Sequence, residues 1–232
     1  IEAIEYKVDL YNVLHAVGKV LLESDIADHR KRYIRETLEN FRKRGLGLSG
    51  QEREEAMQLS KTLSEKSLEF QTNINQDDSH IVVSRDELHG LDDSFINSLE
   101  QPEEGRYKVG TDYPTYSQVI ENCTVQNTRY KLWKAFANRA YPVNKELLQQ
   151  LISLRDQFAQ KVGYQDYAHL DIDKEEMADS PENVQAFLRE LLEQSQSKWD
   201  EEFAQFTRDL PESVQLDERG RIKPWDVAFV KN

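Results

Sequence analysis

The stretch GYQDYAHLDIDKEEMADSPENVQAFLREL, residues Gly163–Leu191, sets the helical architecture around it. Gly163 predicts the end of one helix, because glycine readily adopts the left-handed conformation that closes a helix C-terminus. Ser180, Pro181 and Glu182 predict the start of another, with a capping hydroxyl, a proline suited to the first helical position and an acid at the positive dipole end. The segment therefore predicts a helix end, a short linking helix and the start of a long amphipathic helix.

Apolar residues repeat every three or four positions on both sides of this stretch, and this spacing predicts further helices. The glycine-rich segment GLGLSG at 45–50 is predicted to end one of them, and Pro211 is predicted to end the long helix. Ser24 or Asp25, Thr124 and Asn144 are predicted helix caps. The main stripe positions are Ile4, Val8, Tyr11, Leu14, Val17 and Leu21; Tyr33, Ile34, Leu38 and Phe41; Ala56, Leu59, Leu63, Phe70 and Ile74; Leu147, Leu148, Leu151, Ile152, Phe158 and Val162; and Val184, Phe187, Leu188, Leu191, Leu192, Trp199, Phe203 and Phe206.

The middle of the chain changes from helical to extended patterning. His80–Ser84 is short and rich in β-branched residues, and Arg106–Gly110 alternates, so both segments are predicted strands. A ribbon of two strands is marginal alone and must pack on helices. The predicted fold class is therefore mainly α: a single mostly helical region over 1–232 with a small two-stranded β insertion at about residues 79–110.

Charge and cysteine content limit the partners and the compartment. The 30 basic and 43 acidic residues give a net charge of −13, which disfavours binding to nucleic acid. The basic clusters His29–Arg32 and Arg42–Arg44 are interpreted as solvated helix faces. A single cysteine, Cys123, allows no internal disulfide and is typical of a reducing compartment, so we expect a cytoplasmic protein, with a mitochondrial one as the alternative. No apolar run approaches the roughly 18 residues of a membrane span, so no membrane partner is expected.

The histidines do not supply the metal-binding pattern of a helical zinc peptidase. Such an enzyme needs His-Glu-x-x-His, which places two histidines on one helix face with a glutamate as base. The histidines are His15, His29, His80, His89 and His169, and the closest two are nine residues apart. We interpret His15 as a core or boundary residue of its helix, and His89 as a turn residue.

Other catalytic patterns are weak or missing in the sequence. Adjacent carboxylates are frequent, but neighbours on a helix diverge by about 100° and usually form solvated faces, so a paired-acid glycosidase stays open without support. Asp171 and Asp173 resemble the start of a calcium loop, but its sixth position, which needs glycine, holds Glu176. GLGLSG lacks the lysine of a phosphate-binding loop, and no Gly-x-Ser-x-Gly elbow occurs. Cys123 has no nearby base and is interpreted as a half-buried structural side chain.

Short motifs follow one another in a fixed order along most of the chain. They are Arg44-Gly45-Leu46; Phe70 with Asn73-Ile74-Asn75; Glu87-Leu88-His89-Gly90-Leu91; Thr128-Arg129 with Phe136 and Arg139; Leu154-Arg155-Asp156; Gly163-Tyr164 with Tyr167-Ala168; Met177-Ala178 with Pro181, Val184 and Phe187-Leu188; and Pro224-Trp225-Asp226. Each motif alone is weak, but their order and spacing make chance similarity improbable. Together they resemble the thimet oligopeptidase, neurolysin and saccharolysin family of zinc metallopeptidases.

The resemblance implies a neurolysin-like fold, in which two lobes face a deep channel that admits short peptides. In that family a zinc ion held by His-Glu-x-x-His and a later glutamate polarises a water molecule, and the motif glutamate acts as base. The family's zinc motif follows its Trp-Asp segment, whereas here Trp225-Asp226 is followed by six residues without it. We therefore predict no catalytic, cofactor-binding or metal-binding residue in this chain, and zinc is implied only for the full-length family enzyme.

The sequence thus predicts the N-terminal portion of a zinc-dependent oligopeptidase, resembling the lobe that walls the substrate channel and inactive alone. A stand-alone helical module that binds peptides or another protein is the alternative, and an enzyme with an unrelated site built from distant residues is a third hypothesis. The expected partners are short peptides, the missing catalytic half or another copy of the chain. We expect apolar surface to be exposed near Ile222, Trp225 and Phe229.

Overall fold

The computed structural model describes residues 8–173 and 179–232, and it confirms the predicted mainly α fold class. The helices are α1 (Val8–Glu23), α2 (Asp28–Lys43), α3 (Gly50–Asn75), α4 (Asp93–Ser98), α5 (Tyr113–Asn122), α6 (Gln126–Ala137), α7 (Val143–Lys161), α8 (Tyr167–Ile172), α9 (Pro181–Phe206) and α10 (Val227–Lys231). The strands are β1 (His80–Ser84), β2 (Glu100–Glu103) and β3 (Arg106–Gly110). Among the sequence predictions, Ile4, Glu176 and Met177-Ala178 lie outside the described residues.

Contacts divide the chain into two compact units, each built from two separate segments. The first comprises the described parts of Ile1–Gln71 and Lys145–Leu191, and the second comprises Thr72–Asn144 and Leu192–Asn232. The single mostly helical region predicted over 1–232 stays a prediction. In residues 8–173 and 179–232, no helix has the length and apolarity needed to cross a membrane.

The first unit has a buried cluster in which α3, α7 and α8 meet. Its members are Ala56, Phe158, Ala159, Val162 and Leu170. Gly45 approaches this cluster so closely that an added Cβ would lie 2.9 Å from the Cβ of Ala56, and its φ of +86° also favours glycine. Gly163, with φ +94°, follows the end of α7 as predicted. Ala56, Phe158 and Val162 of the predicted stripes are therefore buried, whereas Leu148 and Ile152 of the predicted α7 stripe are 47% and 59% exposed.

The sheet in the second unit has three antiparallel strands in the order β1-β3-β2. β1 pairs with β3 from His80 opposite Gly110 to Ser84 opposite Arg106. The added strand β2 pairs with β3 in an irregular register, and all four of its residues are exposed. Its sequence EQPE lacks β-branched and aromatic residues, and Pro102 is tolerated only in an edge strand. The prediction of two strands is therefore corrected to three, because β2 carries no sequence signal of a strand.

One face of this sheet packs on α4, α5 and α6 around a second buried cluster. The cluster contains Val83, Leu88, Leu91, Ile96, Tyr107, Val109, Val119, Cys123 and Leu132. The helical cover agrees with the expectation that so small a sheet needs support from helices. The Glu87–Leu91 segment supplies two of these side chains, so this turn is part of the core.

The predicted side-chain caps of three helices are wrong, and each of those side chains bonds elsewhere. Ser24 Oγ donates to the carbonyl of Leu21, and α2 begins after Ala27 without a side-chain cap. Thr124 Oγ1 donates to the carbonyl of His89 at 3.0 Å. Asn144 lies inside α7 and is hydrogen-bonded to another side chain. Short polar side chains compete for several backbone partners, so a cap predicted from residue type alone is unreliable.

Helix α9 begins where the sequence predicts, but it leaves its apolar stripe exposed. Ser180 Oγ accepts a hydrogen bond from the N–H of Asn183, and Pro181 is the first helical residue. The helix ends at Phe206, earlier than the predicted stop at Pro211. We call its exposed stripe the α9 apolar face; it consists of Phe187, Leu188, Leu191, Leu192 and Trp199, each 50–64% exposed.

The expectation of exposed apolar surface near Ile222, Trp225 and Phe229 needs correction. These side chains are only half-buried, and none is among the large hydrophobic residues that are exposed in the structure. Trp225 packs on Tyr130 and Trp133, with ring centroids 4.7 and 5.4 Å apart. The larger exposed apolar surface is the α9 apolar face.

Candidate functional site

The described residues do not form a zinc site. Within residues 8–173 and 179–232, no three His, Cys, Asp or Glu side chains are grouped so that they could hold a metal ion. A catalytic zinc site needs three protein ligands, so the described residues do not fit the metal that the resemblance implies. His15 is exposed beside Tyr11 rather than in a core, and His89 Nδ1 lies 2.9 Å from Thr124 Oγ1.

Cys123 is a structural thiol in the core of the second unit. It is fully buried, not half-buried as predicted, and its Sγ donates to the carbonyl of Glu87 at 3.4 Å. Burial is the main cause that raises the pKa of the Cys123 thiol. A nucleophilic cysteine needs a lowered pKa and an accessible sulfur, so this geometry does not support nucleophilic chemistry.

The motif Glu87–Leu91 forms a hydrogen-bonded hub in the second unit. The Glu87 carboxylate accepts from the N–H of Ser84 and from Lys131 Nζ, both at 2.9 Å. These bonds, the backbone one first, lower the pKa of Glu87. The Glu87 carbonyl accepts from Thr128 Oγ1 at 2.7 Å. At Gly90 φ is +95°, and an added Cβ would lie 2.5 Å from a backbone oxygen. The motif therefore fixes the strand-to-helix connection rather than presenting groups to a ligand.

Two of the recognised motifs meet at a fully buried ion pair. Arg129 donates from Nε and Nη2 to Asp226 Oδ1 at 2.9 and 2.6 Å, and both side chains are 0% exposed. Arg129 Nη1 donates to the carbonyl of Cys123, and Gln126 Nε2 donates to Asp226 Oδ2. The Arg129 guanidinium also lies 4.0 Å from the ring centre of Phe229. These bonds connect α6 to the start of α10, so the ion pair has a structural role.

The sequence contains both partners of this ion pair but gives no sign that they meet. Arg129 and Asp226 are 97 residues apart, and they belong to two separate motifs. A buried arginine needs a carboxylate partner, since an unpaired buried charge is costly. If the position of Arg129 on α6 is taken to be buried, the sequence predicts a carboxylate partner for it, but it does not say which one.

The first unit contains a cleft of about 680 Å³ between α1 and α2. It is lined by Tyr11 and His15 of α1 and by Arg32, Arg35, Glu36, Leu38, Glu39, Asn40, Arg42 and Lys43 of α2. The two helices approach closely because Gly18 is buried between them: an added Cβ there would lie 3.0 Å from Leu38 Cδ1. The sequence interpretation of solvated basic faces did not anticipate this concave surface.

A hydrogen-bonded chain at one end of α2 joins it to the residues after α8. Arg42 Nη2 donates to Tyr164 Oη at 2.6 Å, and Tyr164 Oη donates to Asp173 Oδ2 at 2.5 Å. Burial, followed by the bond to Asp173, raises the pKa of Tyr164 to about 12. Lys43 Nζ donates to the carbonyl of Asp173. Arg42 and Lys43 are therefore held by acceptors of the chain itself.

His169 links α8 to the first turn of α9. Its Nδ1 lies 2.8 Å from Asp166 Oδ1, and its Nε2 lies 3.4 Å from Glu182 Oε1. The hydrogen bond with Asp166 is the main cause that raises the pKa of His169. The link is strongest when the imidazole is protonated and both carboxylates are ionised.

The stabilisation by His169 should depend on pH. Because its folded pKa is raised, its contribution is complete below the unfolded value of about 6.5 and is lost as pH rises through the folded pKa. We expect His169→Gln to lower Tm by more at about pH 5.5 than near pH 9, measured by circular dichroism. His29→Gln, which replaces an exposed histidine of α2, is the matched control. An equal loss of Tm at both pH values contradicts the charged link.

Comparison with known proteins relates the chain to one family. Residues 119–232 match the sequence model of peptidase family M3. A thimet-like oligopeptidase of Dictyostelium discoideum is 31% identical over 73% of this chain and 26% of its own length. Oligopeptidase A of Haemophilus influenzae is 24% identical over 95% of this chain and 34% of its own length, and saccharolysin of Saccharomyces cerevisiae is 26% identical over 69% and 23%. The chain spans about a quarter to a third of the length of these relatives.

Proposed function

Because this chain belongs to peptidase family M3, we propose that it forms a non-catalytic part of a zinc-dependent oligopeptidase, the part that walls the channel for short peptides. The observation that carries the proposal is a combination of two facts. Residues 119–232 match the family model, while the described residues hold no set of side chains that fits zinc. On this proposal the chain contributes shape and size selection, and it does not hydrolyse peptides by itself.

The contacts of the recognised motifs support a scaffolding role. The hydrogen bonds of the Glu87–Leu91 hub and of the Arg129–Asp226 ion pair join residues of the second unit to one another. Arg129 and Asp226 are fully buried, so neither can touch a peptide without unfolding. These buried motif residues therefore support a structural role and not a role among reacting groups.

We further propose that the rest of an M3 peptidase packs against the α9 apolar face. Large exposed apolar patches on soluble proteins mark interaction surfaces, and this face places five large apolar side chains on one helix. The relatives are three to four times as long as the matched region, so they contain ample further chain to cover it. A second copy of this chain is the competing occupant.

The only cysteine of the chain supports a proposal for the compartment. Cys123 is buried as a free thiol, which is typical of proteins in a reducing environment. We propose the cytoplasm, with the mitochondrion as the alternative, and the relatives include proteins named mitochondrial intermediate peptidase.

The absence of activity is tested with a quenched fluorescent peptide. We expect the purified chain to show no turnover above buffer, with or without added zinc, because His-Glu-x-x-His does not occur in its sequence. Oligopeptidase A of H. influenzae, assayed on the same peptide, is the positive control. Turnover that requires zinc, is abolished by 1,10-phenanthroline and falls when a histidine of this chain is replaced would overturn the proposal.

The coding sequence separates the main proposal from the stand-alone binding module. A reading frame that continues past Asn232 into a His-Glu-x-x-His motif supports the peptidase part. A stop codon directly after Asn232 supports the stand-alone module.

A further inference from the structure

Helix α2 has a positive net charge, although the protein as a whole is acidic. It contains six Lys or Arg residues and three Asp or Glu residues, which gives +3, whereas the whole chain carries −13. The remaining residues therefore carry −16. A concave surface that gathers charge of one sign focuses the electric field and concentrates ligands of the opposite sign. The cleft between α1 and α2 is such a surface.

The basic residues of the cleft differ in whether the chain already satisfies them. Arg42 is bonded to Glu39 and Tyr164, and Lys43 is bonded to the carbonyl of Asp173. Arg32 contacts Glu36 through Nε at 2.5 Å. Arg35 donates from Nε to the carbonyl of Lys31, and within the described ranges it has no carboxylate partner.

Arg32 and Arg35 lie three residues apart on α2, and both also line a second depression of about 400 Å³ beside the cleft. Residues three apart face the same side of a helix, so the two guanidinium groups form one basic edge. Arginine presents a planar fork that matches a carboxylate or phosphate with two parallel hydrogen bonds. This edge is the part of the cleft that is most available to an external anion.

The rest of the lining favours a carboxylate on a peptide over a phosphate. Glu36 and Glu39 line the same cleft and reduce its net charge to +2, and they would repel a doubly charged phosphate more than a single carboxylate. Tyr11 and Leu38 add apolar wall, and Tyr11 also packs edge-on against Phe41 with ring centroids 6.1 Å apart. At about 680 Å³, the cleft falls in the size range of small-ligand sites.

We propose that the cleft between α1 and α2 binds short acidic peptides, with Arg32 and Arg35 receiving a carboxylate and Tyr11 contacting an apolar side chain. The idea rests on the proposed function in one respect, because short peptides are the ligand class of the proposed channel. It adds a docking site that involves no zinc and no cleavage. Peptides with several carboxylates are selected over neutral or basic ones.

The proposal is tested by equilibrium binding to the chain in zinc-free buffer. The probe is a fluorescein-labelled pentapeptide, Asp-Glu-Phe-Glu-Glu, with a free C-terminus, and the readout is fluorescence anisotropy. We expect saturable binding that weakens with salt, and a loss of about tenfold or more for the analogue with Gln and Asn in place of every acid and an amidated C-terminus. We expect Arg35→Gln to weaken binding of the acidic probe by about tenfold.

A matched variant on the same helix separates a site from general attraction. Arg30→Gln removes the same charge from α2 but does not line either depression. We expect it to change the affinity by less than about twofold. Equal weakening by Arg30→Gln and Arg35→Gln overturns the proposal, and so does unchanged binding by Arg35→Gln. Arg30 and Arg35 are both exposed, so folding of the two variants is confirmed by an unchanged Tm.

Inorganic phosphate decides between the two anion chemistries. At equal ionic strength, phosphate should displace the probe no better than chloride; strong competition by phosphate would assign the edge to phosphate groups and overturn the peptide assignment. Failure to bind the probe overturns the docking site alone, because the zinc-dependent turnover assay tests the proposed function independently.

Discussion

Asp226→Ala is expected to lower the free energy of unfolding by about 3–5 kcal/mol, measured by urea denaturation of the whole chain. The substitution leaves the Arg129 guanidinium fully buried without its carboxylate, and an uncompensated buried charge is among the most destabilising single changes. It also removes the acceptor of Gln126 Nε2. Both losses fall in the second unit, where α6 and the start of α10 are tied together.

Two further variants interpret this result. Arg221→Ala breaks the exposed ion pair with Asp217, and it should cost less than about 1 kcal/mol because exposed pairs contribute little. The double variant Arg129→Met with Asp226→Leu removes both charges, and it should recover most of the stability lost in Asp226→Ala. A double variant no more stable than Asp226→Ala contradicts the buried-charge explanation, even where Asp226→Ala itself fails to fold.

Gly90→Ala is expected to destabilise the chain by about 2–4 kcal/mol, combining backbone strain with steric overlap. The residue has φ +95°, a conformation that alanine adopts only with strain. Its added Cβ would lie 2.5 Å from the carbonyl oxygen of Asn122 and 2.9 Å from Thr124 Cγ2. Since the backbone oxygen cannot rotate away, the hub must shift.

Gly105→Ala is the matched control for Gly90→Ala. Gly105 also has a positive φ, +72°, but an added Cβ meets nothing within 4 Å. It should therefore show the backbone cost alone, about 1 kcal/mol, in the same urea titration. If the two variants lose equal stability, the close approach at Gly90 relaxes freely and the steric part of the argument is wrong.

The spacing of apolar residues and the residues typical of helix ends predict the helices well, because both signals act locally in the sequence. Gly163 ends α7 and Ser180 precedes α9, as expected from a glycine C-terminus and a Ser-Pro start. Strand β2 was missed because its pairing with β3, rather than its residues, makes it a strand. Caps at Thr124 and Asn144 were wrong because each side chain found a partner that lies far away in the sequence.

The candidate sites were less predictable than the fold. The lack of a zinc motif follows from the spacing of histidines and needs no structure. The cleft needs the packing of α1 on α2, since His15, Arg32 and Arg35 have no spacing that suggests a site. The exposure of Phe187 and Leu188 also could not be predicted from the spacing of apolar residues. Such a stripe shows that a helix has an apolar face, but it does not show what covers that face.

The buried ion pair between Arg129 and Asp226 has a consequence for synthesis on the ribosome. The two residues are 97 positions apart, and at about 5–20 residues per second the carboxylate is made roughly 5–20 s after the guanidinium. During that interval the second unit lacks its later segment, Leu192–Asn232, and Arg129 has no native counter-charge. The nascent chain therefore cannot close this core early, and we expect it to be a substrate for chaperones until Asp226 leaves the exit tunnel.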